Sequence, residues 1–327
     1  MTGLRTISGS GDKVRAVAIP TRTLGRTGAE VTVLGYGAME LRGEPRGPAL
    51  EDADAGRLLN AVLDEGITLI DTSIDYGRSE ELIGRYLTSR RDEYFLASKC
   101  GCLLTTPTDA TPPYPHDYTA ANLRAGVEQS LRRLQTDHLD LVQVHMSPSR
   151  EQLERDGTVE EMVRLRDEGK VRFLGMSATE PNLADHIAMG VFDVFQIPYS
   201  ALQRGHEALI SEAAHGGAGV LIRGGVARGT ASEDKAWSVR PLSGGDVPAE
   251  ATWEAAGLDE LLEDGMNRHA FILRFTLSLP GLSSTIVGTA DLDHLRGNVA
   301  IASQGPLPAE VHAEAVRRLD AVNSRQL

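Results

Sequence analysis

From Thr21 onward the chain switches repeatedly between short apolar runs and stretches with a helical period of about 3.6 residues. TRTLGRTGAEVTVLGYGAM reads as two short strands around a Gly-containing turn, with Val31, Val33 and Leu34 supplying β-branched or apolar bulk. This hairpin leads into a further strand that ends near Gly35. DADAGRLLNAVLDEG is then amphipathic, GITLID is a short apolar run, and SEELIGRYLTSR is helical again. EYFLASK, LDLVQVH, VRFLGMS, FDVFQIPYS, GVLIRG and STIVG repeat the apolar theme, each ending in a polar residue or glycine. TAANLRAGVEQSLRRLQ, VEEMVRLRDEGK, NLADHIAMG and GHEALISEAAHGG lie between them as helices, several finishing in a glycine suited to a left-handed cap.

A strand followed by a helix, over and over, means a parallel sheet. Eight such strands occur without a linker or a break in composition, which predicts one closed (β/α)8 TIM barrel with an N-terminal β-hairpin. The barrel domain spans residues 19–327. Residues 1–18, rich in Gly, Ser and Thr without periodicity, read as a flexible N-terminal arm. Two longer connections interrupt the rhythm, Gly101 to Asp117 with Tyr114, and Arg228 to about Leu258 with Trp237 and Trp253. Both follow strands, so both are expected to overhang the C-terminal mouth of the barrel, offering Tyr114 and Trp237 as substrate contacts.

Composition narrows the function classes. With 33 basic against 46 acidic residues the formal charge is −13, which repels nucleic acid and anionic lipid alike. No stretch is apolar for the length a bilayer demands, and the N-terminus lacks the apolar centre of a signal peptide, so a cytoplasmic protein is expected. The 2 cysteines, Cys100 and Cys102, are too few for a structural zinc site, and the 9 histidines form neither H-x-H nor H-E-x-x-H, so no metal is expected.

In a barrel the polar residues at strand C-termini are the first suspects, because packing side chains fill the interior below them. Asp71 ends GITLID, Tyr76 follows in DTSIDYG, Lys99 ends EYFLASK and His145 ends LDLVQVH. Singly each has a plain structural role, as turn residue, packed aromatic, solvated strand end or rim histidine. Together they fit carbonyl reduction by hydride. Tyr76 can donate a proton to the developing alkoxide if the Lys99 ammonium stabilises its phenolate. Asp71 would keep that lysine charged and placed, while a neutral His145 orients the carbonyl oxygen.

Over nearly its whole folded length the chain resembles the aldo-keto reductases, through TLGRTGAEVTVLGYGAM, IDTSIDYGRSEELIG, FLASK, HLDLVQVH, VRFLGMS, FQIPYS and IVGTADLDHLRGNV. The resemblance implies the tetrad Asp71, Tyr76, Lys99 and His145, and a nicotinamide cofactor, NADP with NAD possible, held at the barrel mouth without a Rossmann domain. It further implies that Ser177 and Gln196 meet the carboxamide, and that Gly37, Ala38 and Met39, with Asp71, lie against the cofactor. Gly288 and Thr289 would sit near the phosphates or ribose, with His294 a helical turn on and Asn298 at the adenine. A helix N-terminus after the last strand is also a phosphate site on physical grounds.

The chain departs from the family pattern at several places. Ala178 stands where Asn usually follows the serine of GMS. Arg223 and Gly224 stand where an aromatic and a serine are common, and Ala290 and His294 replace basic residues that many relatives aim at the 2′-phosphate. A guanidinium is planar and weakly hydrated, so Arg223 is expected to contact cofactor or substrate in place of the ring. GYGAME lacks the third glycine of a dinucleotide fingerprint, and RGGVARG lacks the lysine of a P-loop. The expected partner is a small carbonyl or alcohol substrate; the competing reading is a regulatory or redox-sensing barrel that binds the cofactor and turns over little.

Overall fold

The computed structural model describes residues 18–43, 49–105, 115–226 and 249–323. A hairpin of β1 (Thr21–Thr23) and β2 (Glu30–Thr32), antiparallel with Thr21 opposite Thr32, precedes the barrel. Eight parallel strands follow: β3 (Leu34–Gly37), β4 (Leu69–Asp71), β5 (Phe95–Cys100), β6 (Leu139–Val144), β7 (Val171–Ser177), β8 (Val194–Pro198), β9 (Gly219–Arg223) and β10 (Ser284–Val287). They pair in sequence order, and β10 closes on β3 with Thr285 opposite Leu34. Every apolar run of the sequence is therefore a barrel strand, the first ending at Gly37 rather than Gly35.

Burial divides each strand by alternation, as a pleated strand must when both faces are covered. Leu69, Ala97, Leu141, Val194, Leu221 and Ile286 form one buried cluster with Leu24 and Val31 of the hairpin. Their neighbours Ile70, Leu96, Val142, Phe195, Val220 and Val287 belong to a separate, larger cluster shared with the helices. The first set fills the barrel, and the hairpin plugs its N-terminal end. Gly25 has φ +49°, and a Cβ there would lie 2.1 Å from Gly219 N, so the plug seats only with glycine. Arg22 ties it down by donating to Leu282 O at 2.8 Å and Leu277 O at 3.0 Å.

The outer helices are α1 (Asp52–Asp64), α2 (Ser79–Leu87), α3 (Ala120–Leu134), α4 (Arg150–Asp156), α5 (Thr158–Asp167), α6 (Leu183–Ala188), α7 (Glu207–His215), α8 (Ala249–Ala255), α9 (Arg268–Leu277), α10 (Leu292–Ser303) and α11 (Ala309–Asn323). Thr119 caps α3 by accepting from Asn122 N, and Ser149 caps α4 by accepting from Gln152 N. The sequence pattern leaves α9 unmarked because Phe271 through Leu277 are all buried, so no polar stripe sets a period. None of the described helices is long and apolar enough to cross a membrane.

Trp253 belongs to the barrel wall. It is fully buried, packs edge-on against Phe271 with ring centroids 5.5 Å apart, and donates from Nε1 to Asp259 at 2.9 Å, so it pins its segment to the barrel wall. Tyr114 and Trp237 lie outside the described residues, as does the expected N-terminal arm up to residue 17.

Candidate active site

Two positions beyond the inner apolar residues, the same strands turn polar: Asp71 follows Leu69, Lys99 follows Ala97, Gln143 follows Leu141, Gln196 follows Val194 and Arg223 follows Leu221. Period-two geometry carries all five toward the barrel axis. One carboxylate oxygen, on Asp71, organises three of the other side chains. Asp71 Oδ1 accepts from Lys99 Nζ at 2.5 Å, Gln143 Nε2 at 2.8 Å and Gln196 Nε2 at 2.9 Å. Lys99 Nζ also donates to Thr72 O at 3.0 Å. The ion pair is buried on both sides, so losing one partner strands a charge in a low-dielectric interior.

Tyr76 sits in the turn between β4 and α2, held by its N–H on Ser73 O at 3.1 Å and by Ser79 N on its carbonyl at 3.0 Å. Gly77 closes the turn at φ +55°, where a Cβ would crowd Arg42 O at 3.0 Å. Buried Glu80 anchors the first turn of α2 by accepting from Ser98 Oγ at 2.8 Å. This places the Tyr76 ring 5.9 Å from Lys99 Nζ and 6.5 Å, edge-on, from the His145 ring. Burial, then the carboxylates of Asp71 and Asp75, push the phenol well above its ordinary pKa, while Arg223 pulls it down. Lys99 Nζ donates to Asp71 and to Thr72 O, with the centre of the phenol ring 5.9 Å away.

Desolvation lowers His145 to about 3, against the pull of Asp75, so its imidazole is neutral near pH 7. Its Nδ1 faces Cys102 Sγ at 3.3 Å and His116 Nε2 at 3.2 Å, with Asp75 Oδ2 at 3.9 Å. After His145 the chain bends through Met146 (φ 69°) and Ser147 (φ 55°), a backbone region that side chains rarely adopt. Met146 is the exposed large hydrophobic residue among those described, at 49%.

The remaining predicted residues lie at the ends of β3, β7, β8 and β10 and on helix α10. Ser177 Oγ lies 3.4 Å from Gln196 Oε1 at the ends of adjacent strands β7 and β8. Together these two side chains offer donors and acceptors that match a carboxamide, although Gln196 already donates once to Asp71. Gly37 and Gly288 pack on each other so closely that a Cβ on Gly288 would lie 2.8 Å from Gly37 O. Ala38 O accepts from Ser79 Oγ at 3.0 Å, and half-buried Met39 follows in the short helical turn Ala38–Arg42. Thr289 O accepts from Tyr36 OH at 2.9 Å. At the head of α10, Asp291 Oδ1 takes the N–H groups of Asp293 (2.8 Å) and His294 (2.9 Å), so a carboxylate occupies the anion-binding end of that helix. His294 is exposed, and Asn298 is buried with its Oδ1 on His269 Nε2 at 2.7 Å.

Sequence reasoning missed Gln143, Met146, Asp75, Cys102 and His116. Gln143 had a signal, a polar residue inside an apolar strand, in phase with His145. Asp75 and Met146 adjoin Tyr76 and His145 in sequence, whereas Cys102 and His116 come from a connection whose approach no spacing encodes.

Asp71, Tyr76, Lys99 and His145 thus meet at the mouth of a closed barrel, a fold that known proteins share. The chain is 27% identical over 297 residues to the uncharacterized oxidoreductase YqkF of Bacillus subtilis, covering 88% of this chain and 93% of that protein. It is 27% identical over 299 residues to L-galactose dehydrogenase of Arabidopsis thaliana, covering 88% and 89%. The aldo-keto reductase AKR11C1 of Bacillus halodurans, in its holo form, superposes with a TM-score of 0.78 at 27% identity over 92% of this chain and 96% of that one. The model of the Aldo/keto reductase family matches residues 33–320. With the barrel, the mouth and the match all spanning the same residues, the chain belongs to the aldo/keto reductase family of nicotinamide-dependent oxidoreductases that act on carbonyl compounds.

Proposed function

We propose that the chain reduces the carbonyl of a small aldehyde or ketone, or runs the reverse alcohol oxidation, with Tyr76 as the general acid and NADP(H) as cofactor, NAD(H) being accepted as well. The observation that carries this reading is the buried Lys99–Asp71 pair 5.9 Å beneath the Tyr76 ring, beside a neutral His145. When bound, the cofactor supplies the hydride.

Tyr76 holds its proton at neutral pH and gives it to the oxygen that gains charge at the carbonyl. The phenolate left behind lies close to the charges of Lys99 and Arg223. Neutral His145 donates a hydrogen bond that orients the carbonyl oxygen without competing for the proton. Ser177 and Gln196 would hold the carboxamide of the nicotinamide. Gly37, Ala38, Met39, Gly288 and Thr289 would line its path toward α10, where His294 and Asn298 would meet the adenosine end. Arg223 would lie against cofactor or substrate, and Met146 would present an apolar contact to the substrate. Tyr114 and Trp237 remain the proposed aromatic rim.

The test is Tyr76→Phe. Loss of a positioned proton donor should lower turnover by about 10²–10⁴-fold, with NADPH binding, followed by fluorescence, unchanged. Near-parental turnover would remove Tyr76 from the role. If the parent binds NADPH but turns over no member of a panel of sugars, steroids, quinones and small aldehydes, the regulatory reading takes its place.

A further inference from the structure

Four potential ligand atoms converge beside the barrel mouth: Asp75 Oδ2, Cys102 Sγ, His116 Nε2 and His145 Nδ1, all within 4.8 Å of one another. Two of them, Sγ and Nε2, lie within 3.3 Å of the same ring nitrogen, His145 Nδ1. A ring nitrogen carries either one proton or one in-plane lone pair, so it makes one good hydrogen bond. A thiol, an imidazole and a carboxylate gathered around it exceed what hydrogen bonding at that atom can satisfy. A cation at their centre meets all four.

We propose that Asp75, Cys102, His116 and His145 form a binding site for a divalent transition-metal ion, with Zn²⁺ the ion that the donor set fits best. Mixed sulfur, nitrogen and oxygen donors suit a borderline-soft ion, and four side chains complete a tetrahedral shell. Zinc bonds of about 2.0–2.3 Å set tetrahedral ligand atoms about 3.3–3.7 Å apart. The Sγ–Nδ1 and Nε2–Nδ1 separations of 3.3 Å and 3.2 Å are already close to that spacing. The widest separation, 4.8 Å at most, needs to contract by about 1 Å.

The surroundings hold the ligands in place, as outer-shell partners of metal sites do. Cys102 and His116 face each other across an isolated antiparallel bridge, fixing their backbones together. Asn122 Nδ2 clamps that bridge by donating to Cys102 O at 3.1 Å and Asp117 O at 2.7 Å. Ser73 Oγ donates to Asp75 Oδ1 at 2.5 Å, leaving Oδ2 for the ion. Tyr118 stacks on His116 with centroids 6.0 Å apart and donates to His145 O at 2.7 Å. Binding releases the thiol proton of Cys102 to solvent. It also leaves the single ring proton of His145 on Nε2, so the ion fixes the tautomer of a histidine at the active-site mouth.

The experiment uses the full chain stripped with a chelator and titrated with Co²⁺. A single equivalent should bind with the intense visible bands of tetrahedral cobalt and a thiolate-to-cobalt charge-transfer band, and Zn²⁺ should displace it. Cys102→Ala should erase the charge-transfer band, His116→Ala should weaken Zn²⁺ binding by about 100-fold or more, and Cys100→Ala should change neither. Zinc-edge X-ray absorption of the parent, which needs no variant, should report a sulfur ligand. A weak octahedral cobalt spectrum, a zinc shell without sulfur, or unchanged affinity in Cys102→Ala overturns the site. Because every readout is metal binding, the result is independent of whether the chain reduces carbonyls.

Discussion

The two ends of the barrel interior are built from the same strands by the same alternation and solve opposite problems. At the hairpin end, Leu24, Val31, Leu69, Ala97, Leu141, Val194, Leu221 and Ile286 meet as apolar surfaces, which need only volume. Two residues further along, Lys99, Gln143 and Gln196 meet as donors converging on one oxygen of Asp71, which need direction. An apolar plug tolerates exchange of like volume. A buried polar knot does not, because each removal leaves a partner desolvated and unmatched. Stability resides at both ends, but geometry for chemistry at one.

Single substitutions at the two ends give the largest expected effects. Lys99→Met strands the Asp71 carboxylate in the interior and should cost about 3–5 kcal/mol in denaturant unfolding, with turnover abolished. Leu141→Ala opens a cavity at the plug and should cost about 2–5 kcal/mol, while KM and turnover stay near the parent's below the melting temperature. If Leu141→Ala loses turnover as Lys99→Met does, the division between the ends is wrong.

A smaller effect is expected at Gln143, the mouth residue the sequence reading passed over. Its Nε2 supports Asp71, but its Oε1 is buried without a hydrogen-bond partner. Gln143→Leu therefore removes one charge-assisted bond and one unmade bond together. The net loss should be about 1 kcal/mol, at the low end for a hydrogen bond to a charged group. Turnover should fall by up to about tenfold as Asp71 and Lys99 loosen, a barrier change near 1.4 kcal/mol. Equal kinetics for Gln143→Leu and the parent would show that Lys99 and Gln196 position Asp71 unaided.

The strands were legible because alternation and apolar runs are written locally, and so were Asp71, Tyr76, Lys99 and His145, which end or follow them. Helix α9 was not, because a helix buried all round carries no polar stripe. Trp253 was open in the sequence because an aromatic in a long connection looks the same whether it faces solvent or pins the loop to Phe271. The expectation of no metal rested on ligand spacing along the chain. Asp75, Cys102, His116 and His145 approach through two loops and the end of β6, a closeness only the closed barrel creates. For the phenol of Tyr76, pairwise reasoning names the Lys99 charge but leaves out desolvation, which only the closed barrel makes large.

The smallest effect expected concerns a third region, the head of α10, where charges stand in water rather than in the barrel. Asp291 already occupies the positive end of the helix, and the side chain of Asp293 is 94% exposed. Arg296 is paired with Glu65 at 3.0 Å and leans toward Asp293 at 3.8 Å. A 2′-phosphate reaching this turn would meet two carboxylates and a guanidinium that is already engaged. Preference for NADPH over NADH should therefore be slight in the parent. Asp293→Ser removes one carboxylate and loosens Arg296, leaving the Asp291 cap in place. A single charge at a helix terminus is worth about 0.3–1 kcal/mol, so the ratio of KM for NADH to KM for NADPH should rise about two- to fivefold. Solvent-exposed charges are screened within about 10 Å at 0.1 M salt, so the gain should shrink as salt is added, whereas the effect of Lys99→Met in the dry interior should not. A ratio that stays fixed at low salt would mean that the head of α10 does not read the phosphate, and that cofactor choice lies elsewhere in the chain.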